Sequence, residues 1–191
     1  MCNFYEENYQ QYFNSTVDLD PSTFLMPLTN LLEPQSTILD IGCGSGRDLL
    51  WFARKGFQPT GFEQSPSLAR LAREHTNCQV IEGDFNDYNF SDFRFSALVF
   101  VGSLVHLPKE SLPAILMSTC QALESNGLIL ITIKEGNDSR ATSDDRIFTL
   151  WSKQDIEKIF EENGLNILDF SRQKSKLRPD DIWLGYVLRF H

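Results

Sequence analysis

From residue 36 onward, short apolar runs alternate with stretches in which apolar residues recur at helical spacing. The runs are strand-sized, rich in β-branched residues and bounded by glycine or polar residues, as is typical of strands buried in a sheet. The predicted strands are residues 37–41, 57–62, 79–81, 97–101 and 128–133. The predicted helices between them are residues 47–55, 65–75 and 108–123. This alternation predicts parallel strands with right-handed crossovers, and therefore a doubly wound, three-layer α/β fold.

The C-terminal part departs from this alternation. Ser152 predicts the start of a helix that ends near Asn163. Residues 165–170 and 183–190 then follow as two strands with only a polar loop between them. Strands joined in this way pair antiparallel, so we expect the sheet to gain an antiparallel member. No repeat or internal boundary is visible, and we expect residues 1–191 to form a single domain.

The first 33 residues predict a helical segment that caps the domain. Two short helices are interrupted by residues 16–21, and Asp20 with Pro21 is suited to begin the second one. Four aromatic residues follow helical spacing: Tyr5, Tyr9, Tyr12 and Phe13. These rings either pack against the domain, or one of them closes over a bound ligand.

Charge and composition limit the kinds of partner that the protein is expected to bind. Hydrophobic residues make up 41% and charged residues 23% of the chain, which is ordinary globular usage. The formal net charge of −9 disfavours an extensive nucleic-acid surface, because phosphate backbones are repelled. Four basic residues near the C-terminus are interpreted as a solvated hairpin loop: Arg172, Lys174, Lys176 and Arg178.

The four cysteines and three histidines show no metal-ligand spacing, so we expect neither a metal site nor a disulfide framework. The first residues lack the features of a signal peptide, and the apolar runs are too short to span a bilayer. We therefore expect a cytoplasmic protein that does not enter the membrane. The sequence does not indicate an oligomeric state.

Three glycines follow the first predicted strand and open the next helix: Gly42, Gly44 and Gly46. Without side chains, such a loop can turn sharply and let a ligand lie against the backbone. In open α/β sheets, ligands bind at the carboxyl ends of strands where the strand order reverses. Asp48 lies in the first turn of the following helix.

The spacing of these glycines separates two cofactor classes. A dinucleotide loop has the pattern G-x-G-x-x-G or A, but its last position here is Arg47. Asp40 precedes the loop on the strand, where a carboxylate would repel a pyrophosphate and attract an ammonium or sulfonium. Cys43, between two of the glycines, is interpreted as a small filler.

Two further acids follow the next two strands. Glu63 ends the second strand, where a carboxylate can accept both ribose hydroxyls, although this feature alone also suits NAD. Asp84 and Phe85 follow the third strand, where the acid can receive an adenine amino group and the ring can cover the base. Taken alone, Asp84 could instead belong to a turn or a helix cap. Acids after three successive strands favour a nucleoside site.

At these positions the chain resembles the class I S-adenosylmethionine-dependent methyltransferases, and is most similar to small stand-alone bacterial members. Residues 39–46 resemble the family's first motif, Glu63 its acidic strand end, and residues 83–85 its adenine motif. Residues 101–107 resemble the segment after the fourth strand. Residues 123–128 match the usual L-K-P-G-G turn only loosely.

The resemblance implies a seven-stranded sheet of order 3-2-1-4-5-7-6 with strand 7 antiparallel. It also implies S-adenosyl-L-methionine as cofactor and S-adenosyl-L-homocysteine as product, with Gly102 and Ser103 beside the sulfonium and Tyr12 closing the site. The implied cofactor-binding residues are Tyr12, Asp40, Gly42, Gly44, Gly46, Asp48, Glu63, Gln64, Asp84, Phe85, Gly102 and Ser103.

The acceptor is expected to be a small molecule, and its identity does not follow from the sequence. A general base is needed only if the acceptor carries a proton. His106 is the candidate base, and a hydrogen-bonded structural histidine is the alternative. Lys134 and Arg146 flank the polar loop 135–145 and either bind an anionic acceptor beneath that loop or belong to a solvated loop.

Two other functions stay open at this point. An NAD-dependent oxidoreductase uses a similar sheet, and a non-catalytic cofactor-binding module would keep the same acids without turnover.

Overall fold

A seven-stranded sheet forms the centre of the computed structural model, which describes residues 3–142 and 146–190, without the side chain of Asn3. Its strands are β1 (Thr37–Ile41), β2 (Gln58–Glu63), β3 (Gln79–Glu82), β4 (Phe95–Val101), β5 (Leu123–Lys134), β8 (Leu165–Lys174) and β9 (Ile182–Phe190). A separate two-stranded sheet pairs β6 (Arg140–Ala141) with β7 (Ile147–Phe148).

The strand order is β3-β2-β1-β4-β5-β9-β8. Because β8 and β9 are the sixth and seventh strands of this sheet, the order confirms the predicted 3-2-1-4-5-7-6. Strands β1 to β5 pair in parallel, whereas β9 pairs antiparallel with both β5 and β8. The order reverses between β1 and β4, so a crevice forms at the carboxyl ends of these two strands.

Helices cover both faces of the sheet. They are α1 (Asn3–Glu7), α2 (Tyr9–Thr16), α3 (Ser22–Thr29), α4 (Arg47–Arg54), α5 (Pro66–Thr76), α6 (Leu112–Thr119) and α7 (Lys153–Glu162), with 3-10 turns at Lys109–Ser111 and Cys120–Ala122. Leu39 and Ile41 pack with the layer that contains α6 and α7, and Ile38 packs with α3 and α4. Alternate residues of β1 therefore serve opposite layers, and Asp40 shares the side of Ile38.

The N-terminal segment contains three helices where the sequence predicts two. The break is at Asn8, whose side-chain Nδ2 donates to the carbonyl of Phe4 at 2.9 Å. Asparagine side chains compete for backbone groups in this way, which favours helix ends over helix interiors. Before α3, the carboxylate of Asp20 accepts the backbone N–H of Ser22 at 3.0 Å, as expected of a capping residue.

Other predicted boundaries shift as well, and the predicted strand 165–170 extends to Lys174. The helix predicted over 108–123 is shorter, because only Leu112–Thr119 is α-helical and 3-10 turns flank it. Strand β5 begins at Leu123 rather than residue 128, and the predicted turn residue Asn126 lies inside it with φ of 64°. The loop 135–145 includes β6, which the sequence does not predict, and its residues 143–145 lie outside the described part of the chain.

Candidate active site

The glycine loop lies at the carboxyl end of β1, where the sheet order reverses. Gly42, Gly44 and Gly46 have φ values of 75°, 54° and 76°, in the left-handed region that favours glycine. Other parts of the protein approach this loop closely. A Cβ on Gly42 would lie 2.5 Å from Cβ of Ser103, and one on Gly46 would lie 2.8 Å from Cγ2 of Thr76 in α5.

Tyr12 covers the middle of this loop. A Cβ on Gly44 would lie 3.0 Å from Cε1 of the Tyr12 ring. Thr16, also in α2, donates its hydroxyl to Oγ of Ser45 at 3.0 Å. Tyr12 therefore lies over the loop, and its closing over a bound cofactor stays a prediction.

Asp40 lies beneath the loop, with a side chain that is 1% exposed. Its Oδ2 is buried and has no hydrogen-bond partner among the residues that the structure describes. Burial raises the pKa of Asp40 well above its usual range, and the charges of Asp48 and Glu63 raise it further against the opposing effect of Arg47. A bound cation would stabilise the ionised form of such a carboxyl group.

Asp48 pairs with Arg47 at the start of α4. Arg47 Nε donates to Oδ1 of Asp48 at 2.6 Å and Nη2 donates to Oδ2 at 2.9 Å. The Asp48 carboxylate is therefore already engaged by a bidentate guanidinium. Arg47, which the sequence analysis used only to exclude a dinucleotide loop, lines the same cavity as Asp48.

Glu63 ties the end of β2 to the glycine loop. Gly44 donates its backbone N–H to Oε2 at 2.8 Å, and Ser65 donates its backbone N–H to Oε1 at 2.9 Å. Burial raises the pKa of Glu63, while these backbone donors partly offset that rise. Each carboxylate oxygen has a second acceptor position, so these bonds leave capacity for ribose hydroxyls.

The predicted adenine residues meet at the ends of β2 and β3. Gln64 donates Nε2 to Oδ2 of Asp84 at 2.6 Å, and Oδ1 of Asp84 accepts the backbone N–H of Asn86 at 2.9 Å. The bond to Asn86 is the turn geometry that the sequence left as the alternative for Asp84. Phe85 is half-buried and packs against the main core cluster.

Cys43 is 8% exposed, and burial raises the pKa of its thiol well above the usual range. A thiol held protonated is a poor nucleophile. This environment agrees with Cys43 as a small filler.

His106 joins the N-terminal segment to β7. Its Nδ1 lies 2.7 Å from the carbonyl oxygen of Ile147, and its Nε2 lies 2.8 Å from the hydroxyl of Tyr5. A carbonyl only accepts, so this network assigns the proton to Nδ1 and makes Tyr5 the donor to Nε2. Tyr5 lines the neighbouring cavity, whereas His106 lies behind it. A role for His106 as a base stays a prediction.

A cavity of about 590 Å³ adjoins the glycine loop. Its walls come from α1 and α2, from the loops after β1 and β4, from the end of β5, and from the hairpin of β8 and β9. Gly102 lies on this wall, and a Cβ there would be 3.2 Å from Cη2 of Trp183. The two residues predicted for the acceptor, Lys134 and Arg146, both line the cavity.

Lys134 is 5% exposed and donates Nζ to Oδ2 of Asp181 at 2.6 Å. Arg140 donates to the other oxygen of Asp181 at 2.5 Å. Burial lowers the pKa of Lys134, and the bond to Asp181 partly offsets this fall. Arg146 lies over the ring of Phe4, with its Cζ 4.1 Å from the ring centroid.

Part of the basic cluster faces this cavity, which the sequence did not predict. Lys174, Lys176 and Arg178 line it, although the sequence favoured a solvated loop. Arg172 instead pairs with Glu135, with Nη2 and Oε2 2.7 Å apart. The sequence carried no signal for this difference, because β8 ends at Lys174 and both Lys176 and Arg178 lie in the loop that follows it.

Residues 38–127 match the family model of a methyltransferase domain. The glycine loop and strands β1 to β4 lie within this segment. Strand β5 begins in it, and β9 and β8 continue the sheet beyond it. This segment belongs to the methyltransferase domain family, and the strand order is that of the class I methyltransferase fold. The family match favours a methyltransferase over the NAD-dependent oxidoreductase, which the sequence had left as an alternative.

Curated methyltransferases resemble this chain over part of their length. A ubiquinone biosynthesis O-methyltransferase of Xanthomonas campestris is 28% identical over 100 residues, which is 49% of this chain and 41% of the relative. A dTDP-3-amino-3,4,6-trideoxy-alpha-D-glucopyranose N,N-dimethyltransferase of Streptomyces venezuelae is 30% identical over 99 residues, covering 50% of this chain and 41% of the relative. The chain spans less than half the length of these two relatives.

Solved methyltransferase structures share the fold. The 1,6-didemethyltoxoflavin-N1-methyltransferase of Burkholderia thailandensis, solved with 1,6-didemethyltoxoflavin and S-adenosylhomocysteine, has a TM-score of 0.78 at 18% identity, covering 96% of this methyltransferase and 84% of that chain. A SAM-dependent methyltransferase of Methanosarcina mazei has a TM-score of 0.77 at 17% identity, covering 91% and 98%. Within the described residues of this methyltransferase, no helix is long and apolar enough to cross a membrane.

Proposed function

We propose that this methyltransferase binds S-adenosylmethionine at the glycine loop and transfers its methyl group to a small-molecule acceptor in the adjoining cavity. The observation that carries the proposal is the environment of Asp40, a buried carboxyl group with an unpartnered oxygen beneath a glycine loop. An anionic pyrophosphate at this loop would be repelled by the acids around it, whereas a sulfonium or ammonium would be attracted.

The residues around the loop fit such a ligand. The orphaned Oδ2 of Asp40 and the buried, unpartnered Oγ of Ser103 supply polar atoms on two sides of Gly42. Glu63 accepts two backbone N–H groups and keeps acceptor capacity for ribose hydroxyls. When bound, S-adenosylmethionine supplies a methyl group that is already activated on sulfur.

The protein's task is then to align the acceptor and to exclude water. Tyr12 covers the loop from one side, and Glu6 anchors the same helical segment to α5 by accepting the backbone N–H of Ser67 at 3.1 Å. The N-terminal helices thus form the cover that excludes solvent from the loop. Cofactor entry requires that this cover move away from Gly44.

A small acceptor is favoured by the size of the cavity. A volume of about 590 Å³ lies in the range of small-molecule sites, which usually hold about 300–1,000 Å³. The Burkholderia methyltransferase named above was solved with the small molecule 1,6-didemethyltoxoflavin and S-adenosylhomocysteine, which supports a small acceptor for the present protein.

Incubation with methyl-labelled S-adenosylmethionine and a protein-free extract of small metabolites tests the proposed reaction. We expect label to appear in an extractable small molecule, and Asp40→Asn to abolish most of that transfer. Labelled cofactor that binds without any transfer, to this extract or to a protein or nucleic-acid extract, would favour the non-catalytic binding module.

A further inference from the structure

We infer that the acceptor is an aromatic carboxylate whose charged end is held by Lys134, Arg146 and Arg178 around the ring of Phe148. The inference rests on the proposed function, since it takes the cavity beside the glycine loop as the acceptor site.

Three positive side chains converge on one buried ring. Nζ of Lys134 lies 3.7 Å from the centroid of Phe148, and the Cζ atoms of Arg146 and Arg178 lie 5.4 and 5.8 Å from it. Phe148 is itself 5% exposed. Asp181 already pairs with Lys134, and a bound anion that reaches Arg178 would gain from the positive potential of all three side chains.

The charge of the cavity wall is opposite to that of the whole protein. Six basic and three acidic residues occur among the described residues that line it, although the chain carries a formal net charge of −9. The local excess of positive charge draws anions into this cavity from solution.

The acids on that wall are already engaged. Asp48 is paired with Arg47, Asp181 is shared between Lys134 and Arg140, and Asp20 lies 3.5 Å from Lys176. Within residues 3–142 and 146–190, by contrast, no carboxylate pairs with Lys174 or Arg178. Among the described residues of the wall, Lys174 and Arg178 therefore carry positive charge that no described carboxylate balances.

The remaining wall is suited to a flat apolar group. Six aromatic side chains of the described residues line the cavity: Phe4, Tyr5, Tyr12, Phe24, Phe148 and Trp183. An arginine can stack its planar group on a ring and still donate N–H groups from its edge to a carboxylate, as the position of Arg146 over Phe4 allows. Gln173 adds a buried amide nitrogen on this wall that has no partner within residues 3–142 and 146–190. Rings beside a cluster of N–H donors match an aromatic carboxylate.

Binding of 2-naphthoate and 2-naphthamide to the protein saturated with S-adenosylhomocysteine tests this inference. The two probes share a ring system and differ in charge. We expect 2-naphthoate to bind at least about tenfold more tightly than 2-naphthamide, and added salt to reduce the difference. Equal affinity for the two probes, tighter binding of the amide, or no binding of 2-naphthoate would overturn the inference.

Two variants locate the site. Arg178→Gln should weaken 2-naphthoate binding by about tenfold and leave 2-naphthamide unchanged. Arg54→Gln, which removes an exposed arginine at the end of α4, is the matched control and should change neither. If Arg178→Gln leaves the affinity for 2-naphthoate unchanged, the basic wall does not hold the carboxylate and the inference is wrong.

The affinity for S-adenosylhomocysteine, measured separately, distinguishes this failure from a failure of the proposed function. If Arg178→Gln removes S-adenosylhomocysteine binding instead, the basic wall holds the carboxylate of the cofactor; the inference falls and the proposed function stands. If the parent protein does not bind S-adenosylhomocysteine, the proposed function falls, together with the acceptor role that rests on it.

Discussion

Gly44 and Glu63 are joined by a hydrogen bond of 2.8 Å from the loop's backbone N–H to a buried carboxylate oxygen. The second oxygen of Glu63 accepts from Ser65, so one side chain fixes the glycine loop relative to the start of α5. Cofactor affinity and local stability therefore depend on the same carboxylate.

Replacing Glu63 should thus affect stability as well as binding. Glu63→Ala leaves two buried N–H donors unpaired and should lower the free energy of unfolding by about 1–3 kcal/mol. Glu63→Gln should cost a similar amount, because its amide NH₂ must face one of the two donors. Urea unfolding measures the first effect and calorimetric titration with S-adenosylhomocysteine measures the second. Unchanged stability in both variants would show that these two bonds are unimportant.

Gly44→Ala should weaken S-adenosylhomocysteine binding by at least about tenfold. The new Cβ meets Tyr12 at 3.0 Å, and the left-handed φ of 54° adds strain of about 1–2 kcal/mol. Gly56→Ala is the matched control, because its φ is 85° but no atom lies within 4 Å of the added Cβ. It should share the loss of stability and retain normal binding. If Gly44→Ala and Gly56→Ala bind S-adenosylhomocysteine equally well, the contact between Gly44 and Tyr12 does not affect cofactor binding.

Asp40→Asn should stabilise the protein at neutral pH, on the order of 1 kcal/mol, the scale of typical single substitutions. The pKa of Asp40 is raised on folding, so its contribution to stability is greatest below the unfolded pKa and is lost as pH rises through the folded pKa. The asparagine variant should lack this part of the pH dependence. Urea unfolding of both proteins from acid to neutral pH measures the difference.

The Asp40 carboxyl group should also make cofactor affinity depend on pH, in the opposite direction to stability. A cationic ligand prefers the ionised carboxylate, so the affinity for S-adenosylmethionine should increase as pH rises through the folded pKa of Asp40. Asp40→Asn should bind more weakly at neutral pH and show less of this increase. If Asp40→Asn is less stable than the parent protein and binds S-adenosylmethionine equally well, both the predicted stability effect and the predicted cofactor contact of Asp40 are wrong.

Tyr5→Phe and His106→Asn should behave alike if their hydrogen bond anchors the N-terminal segment. Each should cost about 0.5–1.5 kcal/mol of stability, and the double variant should cost less than the two added together. Once an acceptor is known, the pH profile of the transfer rate separates this role from general-base catalysis. A rate that falls only in His106→Asn, with the loss of one ionisation, would identify His106 as the base.

The sheet could be predicted from the sequence because its strands are short, apolar and bounded by glycine or polar residues. Gly42 to Gly46 mark the switch point, and the hairpin of β8 and β9 lacks a helix between its strands, which fixes the antiparallel member. The loop position and the acids Asp40 and Glu63 follow from strand ends alone. Their use as a cofactor site stays a prediction.

Contacts between distant segments could not be predicted in the same way. The placement of Tyr12 over Gly44, and of His106 between Tyr5 and Ile147, depends on how α1 and α2 lie across the sheet. The basic cluster looked solvated because the sequence does not show that the β8–β9 hairpin turns one face toward Phe148. The break at Asn8 depends on one side-chain bond.

Calorimetric titration of the parent protein with S-adenosylmethionine, S-adenosylhomocysteine and NAD tests whether the glycine loop is a cofactor site. We expect one equivalent of each of the first two ligands to bind and NAD not to bind, with Asp40→Asn weakening the binding of S-adenosylmethionine more than that of the uncharged thioether. If the folded parent protein binds neither S-adenosylmethionine nor S-adenosylhomocysteine, the glycine loop is not a site for this cofactor.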